Sequence, residues 1–252
     1  MSHVSSLRTK AVVIKRMNYG EADRILTILT ERFGKVKAIA KGVRKTKSRL
    51  AGSLEPFMVM DLQLHPGKTF YIVTGAVIQK EFPDLHKNLQ KTSQAFYIGE
   101  IADKILQEDQ QIHQVFEIFS DGLSEIEKSG SEFLLRIYEL RMIEAAGFKP
   151  ELYECIHCKE KITPDDNFWD SVEGGLICQN CQQKFHHGKR ITDDLIKILR
   201  LIDKGHYDVL KKINLKKEIE TEAETVLNEY IKSILERDLK SQKFLKEISH
   251  DH

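Results

Sequence analysis

The four cysteines of this chain fall in one short window, as Cys155-x-x-Cys158 and Cys178-x-x-Cys181 with nineteen residues between the pairs. Each pair sits on a short turn, so two thiolates can approach one ion, and the insert lets the second pair return to complete a tetrahedron. The spacing falls within the range of a four-thiolate zinc site. Two disulfides and a redox dithiol compete with that reading. Disulfides are disfavoured in a reducing cytoplasm, and a redox dithiol normally pairs one C-x-x-C with a βαβ pattern that this sequence lacks. The expectation is one zinc ion in a structural role, because four cysteines leave no open position for a reacting water. His157, His186 and His187 lie close by and are read as surface histidines.

Charge divides the chain. Of its 252 residues, the first eighty carry 15 Lys/Arg against 5 Asp/Glu, a net of +10, and residues 81–252 carry 24 against 33, a net of −9. Such asymmetry predicts two domains with different partners, the basic one facing nucleic acid or another anionic surface. With 41% hydrophobic and 31% charged residues, the whole is a globular rather than a disordered chain. The longest stretch free of Lys, Arg, Asp and Glu is Thr69–Gln79, eleven residues, where a spanning helix needs about 20. Ala11–Ile14 is too short for a signal-peptide core. A cytoplasmic location without membrane contact is expected.

The basic domain, residues 1–80, reads as strands: Ala11–Ile14, Arg24–Thr30, Lys35–Lys41, Phe57–Leu64 and Phe70–Ile78, with turn signals at Asn18-Tyr19-Gly20, Phe33-Gly34 and His65-Pro66-Gly67. Five strands in so short a span predict a small closed or nearly closed barrel, with an open meander as the alternative. Seven basic residues, Lys35, Lys37, Lys41, Arg44, Lys45, Lys47 and Arg49, crowd one stretch, and no acid lies between Glu31 and Glu55. Lys35, Lys37 and Lys41 are expected on one strand face and the remainder on a flexible loop. Cations beside a barrel can track a phosphate backbone, with Tyr19, Phe33, Phe57, Phe70 and Tyr71 as the aromatics available for stacking. Contact with about six phosphates of a single strand predicts a log–log salt slope near −4.

Residues 81–252 read as helical. Leu85, Leu89, Phe96 and Ile101 stand near helical spacing. Phe133, Leu134, Ile137, Leu140 and Ala145 form an amphipathic face stopped by Gly147 and Pro150. Thr192 reads as an N-cap, and Ile219–Leu235 carries the strongest helical stripe. The zinc module, about 151–190, is inserted among these helices, giving an α+β protein. Gly67-Lys68-Thr69 is not a P-loop, since Leu62 stands where the earlier glycine is required. Asp165-Asp166 reads as a solvated pair in a polar loop. No motif demands catalysis, and a non-enzymatic protein is expected; a zinc-bearing adaptor or a zinc-dependent nuclease are the competing classes.

Several segments are family-specific in combination. Gly20-Glu21-Ala22-Asp23-Arg24-Ile25-Leu26, the Phe33-Gly34 turn, Ala40-Lys41-Gly42-Val43-Arg44, Leu54-Glu55-Pro56-Phe57, Gly147-Phe148-Lys149-Pro150-Glu151-Leu152 and Glu236-Arg237-Asp238-Leu239-Lys240-Ser241 together resemble the bacterial recombination mediator family RecO, in order and over nearly the whole chain. The resemblance implies an N-terminal OB-fold and a helical C-terminal domain with a zinc module. It implies binding of single- and double-stranded DNA and annealing of complementary strands without ATP. It also implies cooperation with RecR, and in some settings RecF, in loading RecA onto DNA coated by single-stranded-DNA-binding protein, which would place the protein at the nucleoid. Cys155, Cys158, Cys178 and Cys181 match the ligands of zinc-bearing members. Members also dock the acidic, aromatic-ended tail of single-stranded-DNA-binding protein on the helical domain, where Arg136, Arg141, Arg190, Lys197 and Arg200 are the candidate cations here.

Overall fold

Val12, Val13 and Ile14 are consecutive and all buried, which a regular half-exposed strand does not allow. The computed structural model describes residues 6–108, 110–164 and 166–250, except for the side chains of 243, 246, 249 and 250. In it β1 (Leu7–Tyr19) pairs antiparallel with β2 (Asp23–Thr30), and the register shifts between Val13 and Lys15. Ala11 and Val13 enter the interior of the sheet. Val12 and Ile14 are buried on its outer side. The bulge at Ile14 then releases the strand into a fully exposed arm, Lys15–Tyr19.

β3 (Gly34–Ala40) pairs antiparallel with β2, and β4 (Val59–His65) pairs antiparallel with both β1 and β5 (Tyr71–Lys80). A short parallel contact, Ala38 with Tyr71 and Ile39 with Ile72, closes the barrel in the order β1-β2-β3-β5-β4. This is the five-stranded OB-like barrel. Small residues, Ala11, Ala38 and Ala40, share its interior with Leu26, Ile28, Met60 and Leu62. The β2–β3 turn depends on Gly34, at φ +67°, where an added Cβ would strike the carbonyl of Gln110.

The segment between β3 and β4 is anchored. Val43 and Leu54, the latter in a 3-10 turn (Gly52–Leu54), plug the barrel core. The backbone N–H of Phe57 donates to the Val13 carbonyl at 3.0 Å.

Two compact units emerge from the chain, residues 1–130 with 240–252, and residues 131–239. The first holds the barrel with α1 (Pro83–Lys87), α2 (Leu89–Ile105) and α3 (His113–Lys128). Asn88 caps α2 by accepting from the Lys91 N–H at 3.0 Å. Leu85 and Ile101 are buried as the periodicity predicts, but Leu89 and Phe96 are exposed. Asn88 separates α1 from α2, so the helical phase of Leu85 does not carry into the second helix, whose buried side is Ala95, Ile98, Ile101 and Ala102.

The second unit holds α4 (Glu132–Ala145), capped by Ser131, followed by a three-stranded sheet β6 (Asn167–Asp170), β7 (Gly175–Ile177) and β8 (Lys189–Ile191) in the order β7-β6-β8. α5 (Gln179–Phe185) lies between β7 and β8. α6 (Asp193–Asp203), α7 (Tyr207–Leu210) and α8 (Lys217–Leu235) complete the unit. Thr192 accepts from the Leu195 N–H as the predicted N-cap, and the Glu222 carboxylate in turn accepts from the Thr192 N–H and hydroxyl at 2.7 and 2.6 Å. α9 (Lys240–His250) returns to the first unit, where the Ser241 N–H and hydroxyl donate to Glu100 at 2.8 and 2.6 Å.

Candidate nucleic-acid interface and metal centre

The basic stretch begins on β3, and there the expected single face divides. Lys35 is buried, and its ammonium lies 2.5 Å from the carbonyl oxygen of Asp103 and 3.6 Å from its carboxylate. Burial lowers the Lys35 pKa, and Asp103 works against that shift. Lys37 is exposed but ion-paired with Glu108, which raises its pKa through hydrogen bonding and charge. Neither partner is visible from local spacing, because both carboxylates come from beyond the barrel.

The remaining five, Lys41, Arg44, Lys45, Lys47 and Arg49, are exposed. Among the described residues none of them pairs with a carboxylate. The loop that carries them is built rather than slack at its start. Gly42, at φ +63°, donates its N–H to Asp23 Oδ1 at 2.7 Å. The Arg44 N–H reaches the Ala22 carbonyl at 2.9 Å, and turns close from Lys45 to Gly42 and from Ser48 to Lys45. An exposed cation without a carboxylate keeps its full charge for an incoming phosphate.

The aromatic candidates separate as sharply. Phe57 is buried and meets Phe96 edge to face at 4.8 Å. Phe33, Phe70 and Tyr71 are half-buried, with Arg32 over the Phe33 ring at 5.6 Å. Tyr19 is exposed. A cavity of about 810 Å³ beside Phe57, Phe96 and Phe244 gives no signal in the sequence, because α9 joins it from the far end of the chain.

The cysteines converge. One sulfur from each of Cys155, Cys158, Cys178 and Cys181 lies within 4.8 Å of all the others, with Cys158 and Cys178 at 3.8 Å. A tetrahedron with metal–sulfur bonds near 2.3 Å has edges of about 3.8 Å, so the donor set fits a thiophilic divalent ion. Backbone geometry brings the pairs together. A tight turn at Lys159, φ +61°, folds Cys155 to Cys158, with the Cys155 N–H donating to the Glu160 carbonyl at 2.8 Å. Cys178 caps α5, which places Cys181 one turn on along the same helix face. Burial opposes the Cys155 thiolate, but the N–H groups of Cys158, Cys178 and His157 at its sulfur bring the pKa down to about 6. Cys181, buried and surrounded by the other sulfurs, is pushed up to about 12. A bound cation would favour the thiolate at all four.

The histidines do not join this set. His187 is tied to Asp170 at 2.5 Å, and Asp170 also accepts from the N–H groups of Val172 and Glu173. The His157 ring packs tilted against Phe185 at 4.6 Å and edge to face with His187 at 5.0 Å. His186 ends α5 in the left-handed conformation. Asp166 pairs with Arg190; Asp165 lies outside the described residues.

The five cations considered for an acidic tail are each engaged. Arg136 is buried with Glu139 at 2.9 Å and donates to Asn228 at 3.3 Å, so it is not a surface charge. Arg141 lies over the rings of Tyr207 and Tyr138 at 4.1 and 5.4 Å. Arg190 holds Asp166, Lys197 holds Asp194, and Arg200 donates to the Leu152 carbonyl at 2.8 Å.

The family described as Recombination protein O N terminal matches residues 1–82, and Recombination protein O C terminal matches residues 86–243. The chain belongs to the RecO family. The DNA repair protein RecO of Dehalococcoides mccartyi is 31% identical over 250 residues, 99% of this chain and 98% of the relative. That of Roseiflexus sp. is 32% identical over 96% of this chain and 85% of the relative. That of Thermoanaerobacter sp. is 29% identical over 97% and 98%. RecO-type DNA repair and recombination is thus the setting of this molecule. Among the described residues, no helix is long and apolar enough to cross a membrane.

Proposed function

We propose that this RecO-family protein binds single- and double-stranded DNA through the loop after β3, anneals complementary strands without ATP, and acts as a recombination mediator. The observation that carries the reading is the set of five exposed, carboxylate-free cations, Lys41, Arg44, Lys45, Lys47 and Arg49, on a closed barrel. Two strands repel each other through their phosphates. A protein that neutralises both lowers that barrier, and base pairing supplies the driving force, so no nucleotide need be hydrolysed. Non-enzymatic action at the nucleoid is part of the same reading, as is the assignment of residues 1–80 to DNA and 81–252 to partners.

The zinc module, about 151–190, would hold one Zn²⁺ on Cys155, Cys158, Cys178 and Cys181. Bound there, the ion supplies cross-linking of two distant turns, with no open coordination position for chemistry. The partners proposed from family membership are RecR, in some settings RecF, the acidic tail of single-stranded-DNA-binding protein, and RecA downstream. Titration of the full chain with that tail peptide tests the docking; an unmoved protein would remove it.

The DNA reading is tested by equilibrium binding of a labelled single strand over a range of salt. Five single-strand phosphate contacts give a log–log slope of about −3.5. A slope near zero, or no binding, would move the assignment to a zinc-bearing adaptor without annealing activity.

A further inference from the structure

The exposed arm of β1 runs along β2 to the end of the sheet, where Asn18 pairs with Arg24 and Tyr19 with Asp23, while Arg24 pairs on its other side with Ala40 of β3. Met17 is 57% exposed and Tyr19 53% exposed. Among the described residues, the Tyr19 hydroxyl has no hydrogen-bond partner. Gly20, at φ +55°, turns the chain directly after the ring. A single exposed tyrosine is ordinary in itself. What distinguishes this one is its attachment to the cations. Arg44 donates from its side chain to the Gly20 carbonyl at 3.2 Å and from its backbone to the Ala22 carbonyl at 2.9 Å, and Gly42 is held by Asp23 at 2.7 Å. The arm and the basic loop are therefore one hydrogen-bonded surface, with an open aromatic face beside phosphate-binding groups. The β1–β2 loop is also one of the loops with which OB barrels meet oligonucleotides.

We propose that Tyr19 is the stacking platform on which an unpaired base of the bound strand rests while the cations of residues 41–49 hold its phosphates; this rests on the DNA-binding reading above. Stacking displaces no counterions and is available only to bases free of the helix. Tyr19 thus contributes to affinity for single strands, and little to duplex binding or to the salt slope.

The test compares the full chain with Tyr19→Ala, Tyr19→Phe and Tyr19→Trp on a single strand, an abasic strand and a duplex of equal length, across salt. The variants should fold normally by circular dichroism, because the ring is exposed. The expected result is a loss of about 5- to 150-fold for Tyr19→Ala on the single strand. The slope is unchanged, Phe and Trp restore affinity, and the difference disappears on the abasic strand. Unchanged single-strand affinity for Tyr19→Ala, an equal loss on the duplex, or failure of Phe to rescue would overturn the assignment while leaving the basic loop in place. If the unmodified chain binds no single strand, both readings fall.

Discussion

The ammonium of Lys35 lies 2.5 Å from the carbonyl oxygen of Asp103, and both side chains are largely buried. The first residue of the basic run is therefore part of the first unit's framework. Replacing Lys35 with Met leaves Asp103 with Lys15 at 3.3 Å as its remaining cation. A loss of about 2 kcal/mol is expected, less than for a pair left wholly uncompensated. Thermal unfolding should show the loss, while the salt slope for DNA stays that of the unmodified protein.

The exposed cations should behave in the opposite way. Substituting Lys41, Arg44, Lys45 and Lys47 together with Ala removes four contacts, each worth about 0.7 in single-strand slope. The slope should flatten by about 2.8 with the melting temperature nearly unchanged. Arg44→Ala alone also removes a hydrogen bond to Gly20, so it is the single change expected to affect the arm.

For the cysteine cluster, metal analysis should find one zinc per chain. A chelator should expose residues 151–190 to hydrogen exchange, because the ion would tie the two cysteine turns together and the strands around them are only three or four residues long. Four freely titrating thiols and no metal would contradict the structural-zinc reading.

Glu144 provides a pH test in the second unit. Burial, and then the Asp203 carboxylate, push its pKa up to about 7, and among the described residues its Oε1 has no hydrogen-bond partner. As pH rises through the ordinary carboxylate range, the unfolded chain ionises first, so this site loses stability up to about pH 7 and is level above it. Glu144→Gln should therefore stabilise the protein at pH 8 by about 1 kcal/mol, after allowance for partial solvent screening. It should change little near pH 4. An equal effect at both pH values would contradict the assignment.

The barrel was legible because alternation is local: Val36-Lys37-Ala38 already distinguishes inside from outside. The cysteine centre was legible because ligand spacing is local too. Burial of Lys35 was not, since Asp103 follows 68 residues later. The exposed half of β1 was not, because its strand character comes from pairing with Asp23–Thr27 and not from any apolar pattern. The exposure of Phe96 is not legible from the spacing of Leu85, because the chain starts a new helix after Asn88. The sheet β6–β8 is built from strands of three or four residues, too short to show a period.

On the proposed function, the cations of the basic loop let one protein bring two strands together. The most direct measurement is annealing of complementary strands precoated with the cognate single-stranded-DNA-binding protein, without ATP, for the unmodified chain and the Lys41/Arg44/Lys45/Lys47 alanine variant. Rapid annealing that weakens with salt and is impaired in the folded variant is expected. Absence of annealing while naked single strands are still bound, or normal annealing by the variant, would contradict it.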